Sequence, residues 1–314
     1  MTVRTSIVVP TRGGRSRLPV LLDGLARQGD TDFEVVVVVD GDVDDTEGLL
    51  ARRTDLDLRT IAFPDNRGRS AALNAGFAAA RGDLLVRMDD DLEPEPSYVA
   101  DRVAAHADEP RGVIGLCRNV YPDTAYARVY GAAMDVLSRD AAYATGPGRT
   151  WLHWGANVST TRDDLERVGG YDEGYRRYGW EDVDWGYRLH RLGRPIVVRP
   201  ELEVAHHVAA TTTTVRALRA YHSGFSLVRF QDKHGVSVVD HERPPASAWE
   251  RLVARYAAGL DEDRVRRRGD RIEATLLRIP RYVARKRVAL LVEAAARAGY
   301  HEARRQAQPE ESPT

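Results

Sequence analysis

The chain has a single cysteine, Cys117, among its 314 residues. One thiol closes no internal disulfide and supplies no partner for a cysteine-based zinc site, a pattern that fits a reducing cytoplasm. Its apolar setting reads as core. A surplus of charge is also missing: 46 Lys+Arg stand against 47 Asp+Glu, a formal net charge of −1, although 30% of the residues are charged. No global field therefore drives binding to nucleic acid or an anionic membrane, and an anionic ligand has to be held locally. No apolar run approaches the ~20 residues that a spanning helix requires, and the N-terminus runs straight into a strand pattern without a leader. The expectation is a soluble, cytoplasmic protein, at most peripheral to a membrane, with no internal repeat.

The first third carries an alternating pattern. Thr5 to Val9 and Phe33 to Val39 are short, apolar and β-branched, which reads as buried parallel strands. Between them Leu18, Leu21, Leu22 and Leu25 recur at helical spacing. Leu58–Ile61 and Leu84–Met88 continue the strands, and Arg69–Ala80 the helices. This βαβα order predicts an α/β fold with an open sheet. Ligands of such sheets bind beyond the carboxyl ends of the strands, where Pro10-Thr11-Arg12, Asp40-Gly41 and Asp89-Asp90-Asp91 fall.

Further along, Trp151 to Asn157 reads as a strand, Gly169 to Gly179 as a glycine- and tyrosine-rich loop, and Trp180 to Leu192 as a helix closed by Gly193 and Pro195. Ile196–Val198 and Glu203 to Val208 read as extended. From about Thr211 to Ala307 the pattern is helical and arginine-rich, with Leu218, Tyr221, Phe225 and Val228 at three- and four-residue steps. The residues from Gln308 to Thr314 are rich in Pro, Glu and Ser and read as a disordered tail.

Three consecutive carboxylates repel one another unless a cation neutralises them, which a divalent metal bridging a diphosphate would do. In an extended segment Asp89 and Asp91 point to one side and Asp90 to the other. The bland alternative is a solvated turn capping a strand. Glu181 and Asp182 are either simple helix-start residues, favoured there by the macrodipole, or a functional pair. Trp180 and Trp185 flank them, and apolar rings both raise a carboxylate's basicity by desolvation and offer faces to a sugar ring, so both are candidate acceptor-binding residues. His206-His207 ends a strand; imidazole suits a Mn²⁺-like metal, and only one of two successive strand residues faces a given side. The competing reading of this pair is structural. The basic stretches Arg264 to Arg268 and Arg278 to Arg287 read as a solvated face, or else as a contact with anionic lipid or a partner.

The segment from Leu84 to Asp91, followed by Pro94 and Pro96, resembles the Asp-X-Asp segment of family 2 glycosyltransferases of the GT-A fold. Ser6 to Arg12 looks like the first strand of that family, and Val36 to Asp40 like its second. Asn66-Arg67-Gly68-Arg69 with Leu73-Asn74-Ala75-Gly76 is similar to its third signature, although an arginine is frequent where Leu73 stands. Gly179-Trp180-Glu181-Asp182-Val183-Asp184-Trp185 resembles its Glu-Asp motif, and Trp154-Gly155-Ala156-Asn157 its donor-sugar segment, where a buried strand tryptophan is the alternative for Trp154.

The resemblance implies a Rossmann-like, mostly parallel GT-A sheet with a C-terminal helical extension. Residues 1–115 would form its nucleotide-sugar-binding half, 116–212 its acceptor half and 213–307 the helical extension. It further implies inverting transfer of a hexose or N-acetylhexosamine from a UDP-sugar to the hydroxyl of a saccharide, glycolipid or small-molecule acceptor, with no nucleic acid involved. Asp182 would be the base, assisted by Glu181. Pro10, Thr11, Arg12, Asp40, Asn66, Arg69, Asn74, Asp89, Asp90, Trp154 and Asn157 would bind the nucleotide sugar, with Asp40 on the uracil. Asp91 and His207 would hold Mn²⁺ or Mg²⁺, and the Gly169–Gly174 loop would close as a lid. Nothing in the residues fixes whether the chain acts as an oligomer.

Two other readings compete. Gly13-Gly14-Arg15-Ser16-Arg17-Leu18-Pro19 resembles the glycine-rich phosphate loop of sugar nucleotidyltransferases, but Pro10-Thr11-Arg12 intervenes between strand and glycines, and that family does not predict Gly-Trp-Glu-Asp. A non-catalytic nucleotide-sugar-binding protein is the other.

Overall fold

The computed structural model describes residues 5–109, 111–207 and 210–307. Strand β1 (Thr5–Thr11) and strand β2 (Phe33–Asp40) are buried at every position, as their runs Ile7–Val9 and Val35–Val39 suit strands covered on both faces. They pair in parallel, with Thr5 opposite Phe33 and Thr11 opposite Val39. Helix α1 (Leu18–Ala26) crosses between them with Leu18, Leu21, Leu22 and Leu25 essentially inaccessible. Each such leucine contributes ~1.5–3 kcal/mol by leaving water. Helix α2 (Thr46–Leu50), strand β3 (Leu58–Phe63), helix α3 (Arg69–Ala79) and strand β4 (Leu84–Met88) follow. Helix α3 lies so close to β1 that a Cβ on Gly76 would stand 2.4 Å from the Val8 side chain.

After strand β5 (Leu92–Glu93) and helix α4 (Tyr98–Ala104) the strands become short and mixed in direction: β6 (Gly112–Ile114), β7 (Cys117–Asn119), then helix α5 (Ala132–Tyr143), strand β8 (Asn157–Thr161), helix α6 (Arg162–Val168), helix α7 (Glu181–Arg191), and strands β9 (Ile196–Val198) and β10 (Val204–His206). A seven-stranded sheet runs β3-β2-β1-β4-β8-β6-β9, with β8 alone antiparallel to its neighbours, and a small sheet runs β5-β10-β7. The order reverses between β1 and β4, the switch point at which open α/β sheets leave a crevice beyond the strand ends. The α/β architecture expected from the sequence is thus present.

The chain separates into two compact units. The first comprises residues 1–120, 137–174 and 181–208 and carries both sheets; the second comprises 121–136, 175–180 and 209–314. The helical unit thus takes in residues 121–136 and 175–180 besides the C-terminal helices. The helical unit contains α8 (Thr213–His234), α9 (Ala248–Ala257), α10 (Glu262–Glu273) and α11 (Arg281–Ala307) around a core that includes Tyr126, Ala217, Tyr221, Val265, Leu276 and Leu291. Helices α8 and α11 touch backbone to backbone, since a Cβ on Gly224 would meet the Ala296 carbonyl and one on Gly299 the Tyr221 carbonyl. The expected disordered tail and Val208 lie outside the described residues.

The strand read over Trp151–Asn157 is corrected. Pro147–His153 form a 3-10 helix and the strand starts only at Asn157. The Trp151 indole donates to the Gly148 carbonyl at 3.0 Å and the Thr150 hydroxyl to the Pro147 carbonyl at 3.1 Å, local bonds that compete with a sheet ladder. Cys117 packs against the core, and burial pushes its thiol far above the ordinary range. In the basic stretches, Arg264 pairs with Asp261, Arg268 lies 4.3 Å over the Tyr256 ring, and Lys286 lies 4.8 Å over Trp249. Charged heads over aromatic stems fit the solvated-face reading. No helix among the described residues is long and apolar enough to cross a membrane.

Beneath the sheet, Arg102 donates to Ser159 Oγ and the Val113 carbonyl, and His106 Nε2 lies 2.8 Å from Ser159 Oγ. Burial, then the charges of Arg102 and Arg111, push His106 from 6.5 down to about 3. Between those two values the unfolded chain binds a proton that the folded chain refuses. Stability conferred by neutral His106 is therefore complete above about pH 6.5 and drains as pH falls toward 3, by up to ~1.4 kcal/mol per pH unit. Denaturation of His106→Gln across this window should show a correspondingly flatter pH dependence than the parent.

Candidate active site

Strand β4 is buried along its length, yet its fourth residue is Arg87, 1% exposed. A guanidinium so placed must be paired. Its Nη2 donates to Asp89 Oδ1 at 3.0 Å and its Nη1 to Asp182 Oδ1, so one side chain joins the acidic strand end to the second residue of α7. Burial pushes the Asp89 carboxyl up, but the charges of Arg87 and Arg69 and the Arg87 hydrogen bond outweigh it and hold Asp89 below the usual carboxylate range.

The three aspartates have separate partners. Asp90 receives the Thr11 hydroxyl and both Nε and Nη2 of Arg17, at 3.0 and 2.7 Å. A Cβ on Gly14 would fall 2.0 Å from Thr11 Oγ1 and 3.1 Å from Asp90 Oδ2, so the Gly13-Gly14 segment is packed onto Asp90 rather than open as a phosphate loop. Arg17 was not anticipated as a site residue; its signal was hidden in the segment resembling a nucleotidyltransferase loop.

Asp91 Oδ2 lies 3.2 Å from His206 Nε2, whose Nδ1 is 2.7 Å from Asn119 Oδ1, while Asp91 Oδ1 is buried with no partner. His206 Nε2 and the Asp91 carboxylate, an imidazole nitrogen and a carboxylate side by side, are ligand types that suit a divalent cation. Among the described residues no group of three or more His, Cys, Asp or Glu could hold a metal ion. The protein would thus supply two ligands and leave the rest to water and phosphate oxygens, as suits Mg²⁺ or Mn²⁺. His207, the histidine expected as the ligand, has its Nε2 2.7 Å from Glu93 Oε2 rather than beside the Asp91 carboxylate; the β10–β5 register sets His206 against Leu92 and leaves His207 beyond the strand.

Other expected ligand residues are engaged within the protein. Asp40 accepts the amides of Arg67 and Gly68, at 2.6 and 2.9 Å, and so pins the loop before α3. Asn66 accepts the same Gly68 amide. Asn74 bonds the amide and carbonyl of Tyr171, at 2.7 and 3.0 Å, fastening the segment expected to act as a lid. Asn157 is 1% exposed, accepts from Tyr98 and Arg102 and donates to the Leu202 carbonyl. Pro10 is buried within β1, and Arg12 is exposed. Arg69 stands 3.4 Å from Glu181, which is 5% exposed with Oε2 unpartnered.

Trp154 and Trp185 offer no face to a sugar: they are 3% and 1% exposed and stacked at 5.0 Å. Tyr171 also stacks with Trp185, at 5.9 Å, and accepts from the Trp154 indole at 3.3 Å, while the Trp185 indole donates to the Gly169 carbonyl at 2.9 Å. These rings hold α7 in place, which is the buried alternative weighed for Trp154. Trp180 belongs to the helical unit and has a left-handed backbone, φ 73°, so α7 starts one residue later than expected.

Residues 6–167 match the model for glycosyl transferase family 2, and residues 137–210 the model described as the N-terminal domain of galactosyltransferase. The chain is 30% identical over 225 residues to a validoxylamine A glucosyltransferase of Streptomyces hygroscopicus subsp. jinggangensis, covering 62% of this chain and 53% of that protein. It is 35% identical over 129 residues to an undecaprenyl-phosphate 4-deoxy-4-formamido-L-arabinose transferase of Pseudomonas fluorescens, covering 39% of this chain and 38% of that one. It thus spans about half or less of these relatives' lengths. The mannosyltransferase PcManGT of Pyrobaculum calidifontis, solved with GDP-Man and Mn²⁺, superposes with a TM-score of 0.61 at 21% identity over 95% of this chain and 88% of that one. The protein belongs to glycosyl transferase family 2 and has the GT-A fold.

Proposed function

We propose that the protein transfers a sugar from a nucleoside diphosphate donor, a UDP-sugar, to an acceptor hydroxyl with inversion at the anomeric carbon. The observation that carries this reading is Arg87, which holds Asp89 at the strand end and Asp182, 95 residues from Arg87 in sequence, on one buried guanidinium. Support for a nucleotide-sugar donor comes from solved relatives with GDP-Man and, in S. aureus TarS, with UDP-GlcNAc.

In this mechanism Asp182 takes the proton of the acceptor hydroxyl. The oxygen attacks the anomeric carbon, and the nucleotide diphosphate leaves from the opposite face. Arg87 orients Asp182 and keeps Asp89 ionised beside the diphosphate position. Asp91 and His206 are the residues that would hold a divalent cation, whose chemistry is to neutralise the charge developing on the leaving diphosphate. Glu181 and Arg69 border the same crevice. Asp40, Asn66 and Asn74 act indirectly here, by fixing the loops that shape it.

Asp182→Asn should lower kcat by ~10²–10⁴ with little change in donor affinity, the usual size of a general-base contribution. Quantifying released UDP against pyrophosphate in the same assay separates glycosyl transfer from nucleotidyl transfer, and pyrophosphate as product would sink the proposal. Chelation by EDTA should abolish transfer and Mn²⁺ restore it. His206→Ala should raise the Mn²⁺ concentration needed, whereas His207→Ala should not.

Arg87→Met leaves two half-sheltered carboxylates without their counter-charge and should cost about 3–5 kcal/mol in chemical denaturation. Arg87→Lys keeps the charge but not the fork that holds both. Combining Arg87→Met with Asp182→Asn should cost less than the sum of the single changes, as the two groups are in direct contact.

A further inference from the structure

The helical unit contains a cleft of about 400 Å³, the size of a small-molecule site. Its lining includes the indole of Trp180 and the side chains of Leu227, Val239 and Val253. The Trp180 ring is fixed: its Nε1 donates to Ser223 Oγ at 3.1 Å and its centroid is 5.0 Å from that of Phe230. Its backbone is also strained. A φ of 73° is unfavourable for a bulky residue, and a conformation of that kind persists only where the surroundings impose it, most often at binding sites.

The polar lining separates ligand classes. Asp240, Glu250 and Glu293 face two guanidinium groups, Arg243 and Arg297. Asp240 accepts the amides of Glu242 and Arg243, Glu250 is paired with Arg243, and Glu293 accepts from Trp249. Arg297 makes no hydrogen bond or ion pair among the described residues. An anionic ligand would meet more carboxylates than guanidiniums, and an ammonium ligand would meet an unspent Arg297. A hydroxyl both donates and accepts, so it suits the spare lone pairs of the carboxylates and the free donors of Arg297 alike.

We infer that this cleft of the helical unit binds a neutral, polyhydroxylated ring, a saccharide unit, laid against Trp180 and hydrogen-bonded by Arg297. Aromatic faces take the C–H side of such rings while planar charged groups take the hydroxyls.

The test is ligand-observed NMR on the full chain without donor, using methyl glucoside, methyl galactoside, methyl mannoside and cellobiose, with glucuronate and glucosamine as charged comparisons. At least one neutral glycoside should bind, and Arg297→Gln and Trp180→Gly should each weaken it roughly tenfold or more while the unfolding transition stays cooperative. Glycine adopts the left-handed backbone without steric cost, so the second variant removes the ring and not the fold. Absence of glycoside binding to the parent, equal binding by both variants, or selection of glucuronate or glucosamine instead would overturn the inference. Failure of the transfer reading is seen separately, as no nucleotide released from any donor by a protein that still binds glycosides.

Discussion

A positive charge inside the sheet organises this site. Arg87 lies in the middle of an otherwise apolar strand, and a guanidinium with 1% exposure is tolerated only if its donors are spent on carboxylates. The two that it engages, Asp89 and Asp182, come from the strand end and from the start of α7. Neither could remain clustered without the cation between them. The same ion pairs that make Arg87 tolerable therefore gather the acidic groups of the crevice.

Around that core a few buried acceptors are left without a partner, while the other polar residues build the walls. Asp91 Oδ1 and Glu181 Oε2 are buried without a partner, and buried acceptors left so are the natural places for an incoming group. Asp40, Asn74, Asp90 and Asn157 have the composition of ligand residues but spend their oxygens on backbone amides, Arg17, Thr11, Tyr98 and Arg102. Their contribution is preorganisation: each fixes a segment at the carboxyl end of a strand, so that little has to be ordered when a donor binds. The Phe77, Tyr171, Trp185 and Trp154 rings do the same for α7 through stacking.

The sequence by itself determined the strands, the helices between them and the strand-end positions of the acidic triplet, because buried strands need continuous β-branched runs and crossover helices need a leucine stripe. The extended geometry expected for the triplet is not what forms: Asp90 and Asp91 make a turn after β4, and the three aspartates take three different partners. Only the tertiary structure decided which histidine faces Asp91, because that depends on the register of β10 against β5. It likewise decided that Arg87 brings Asp89 and Asp182 together, and that Trp185 is interior while Trp180 lines a cleft. Partners distant in the chain are chosen by packing and by the need to neutralise buried charge, and local periodicity carries no record of either.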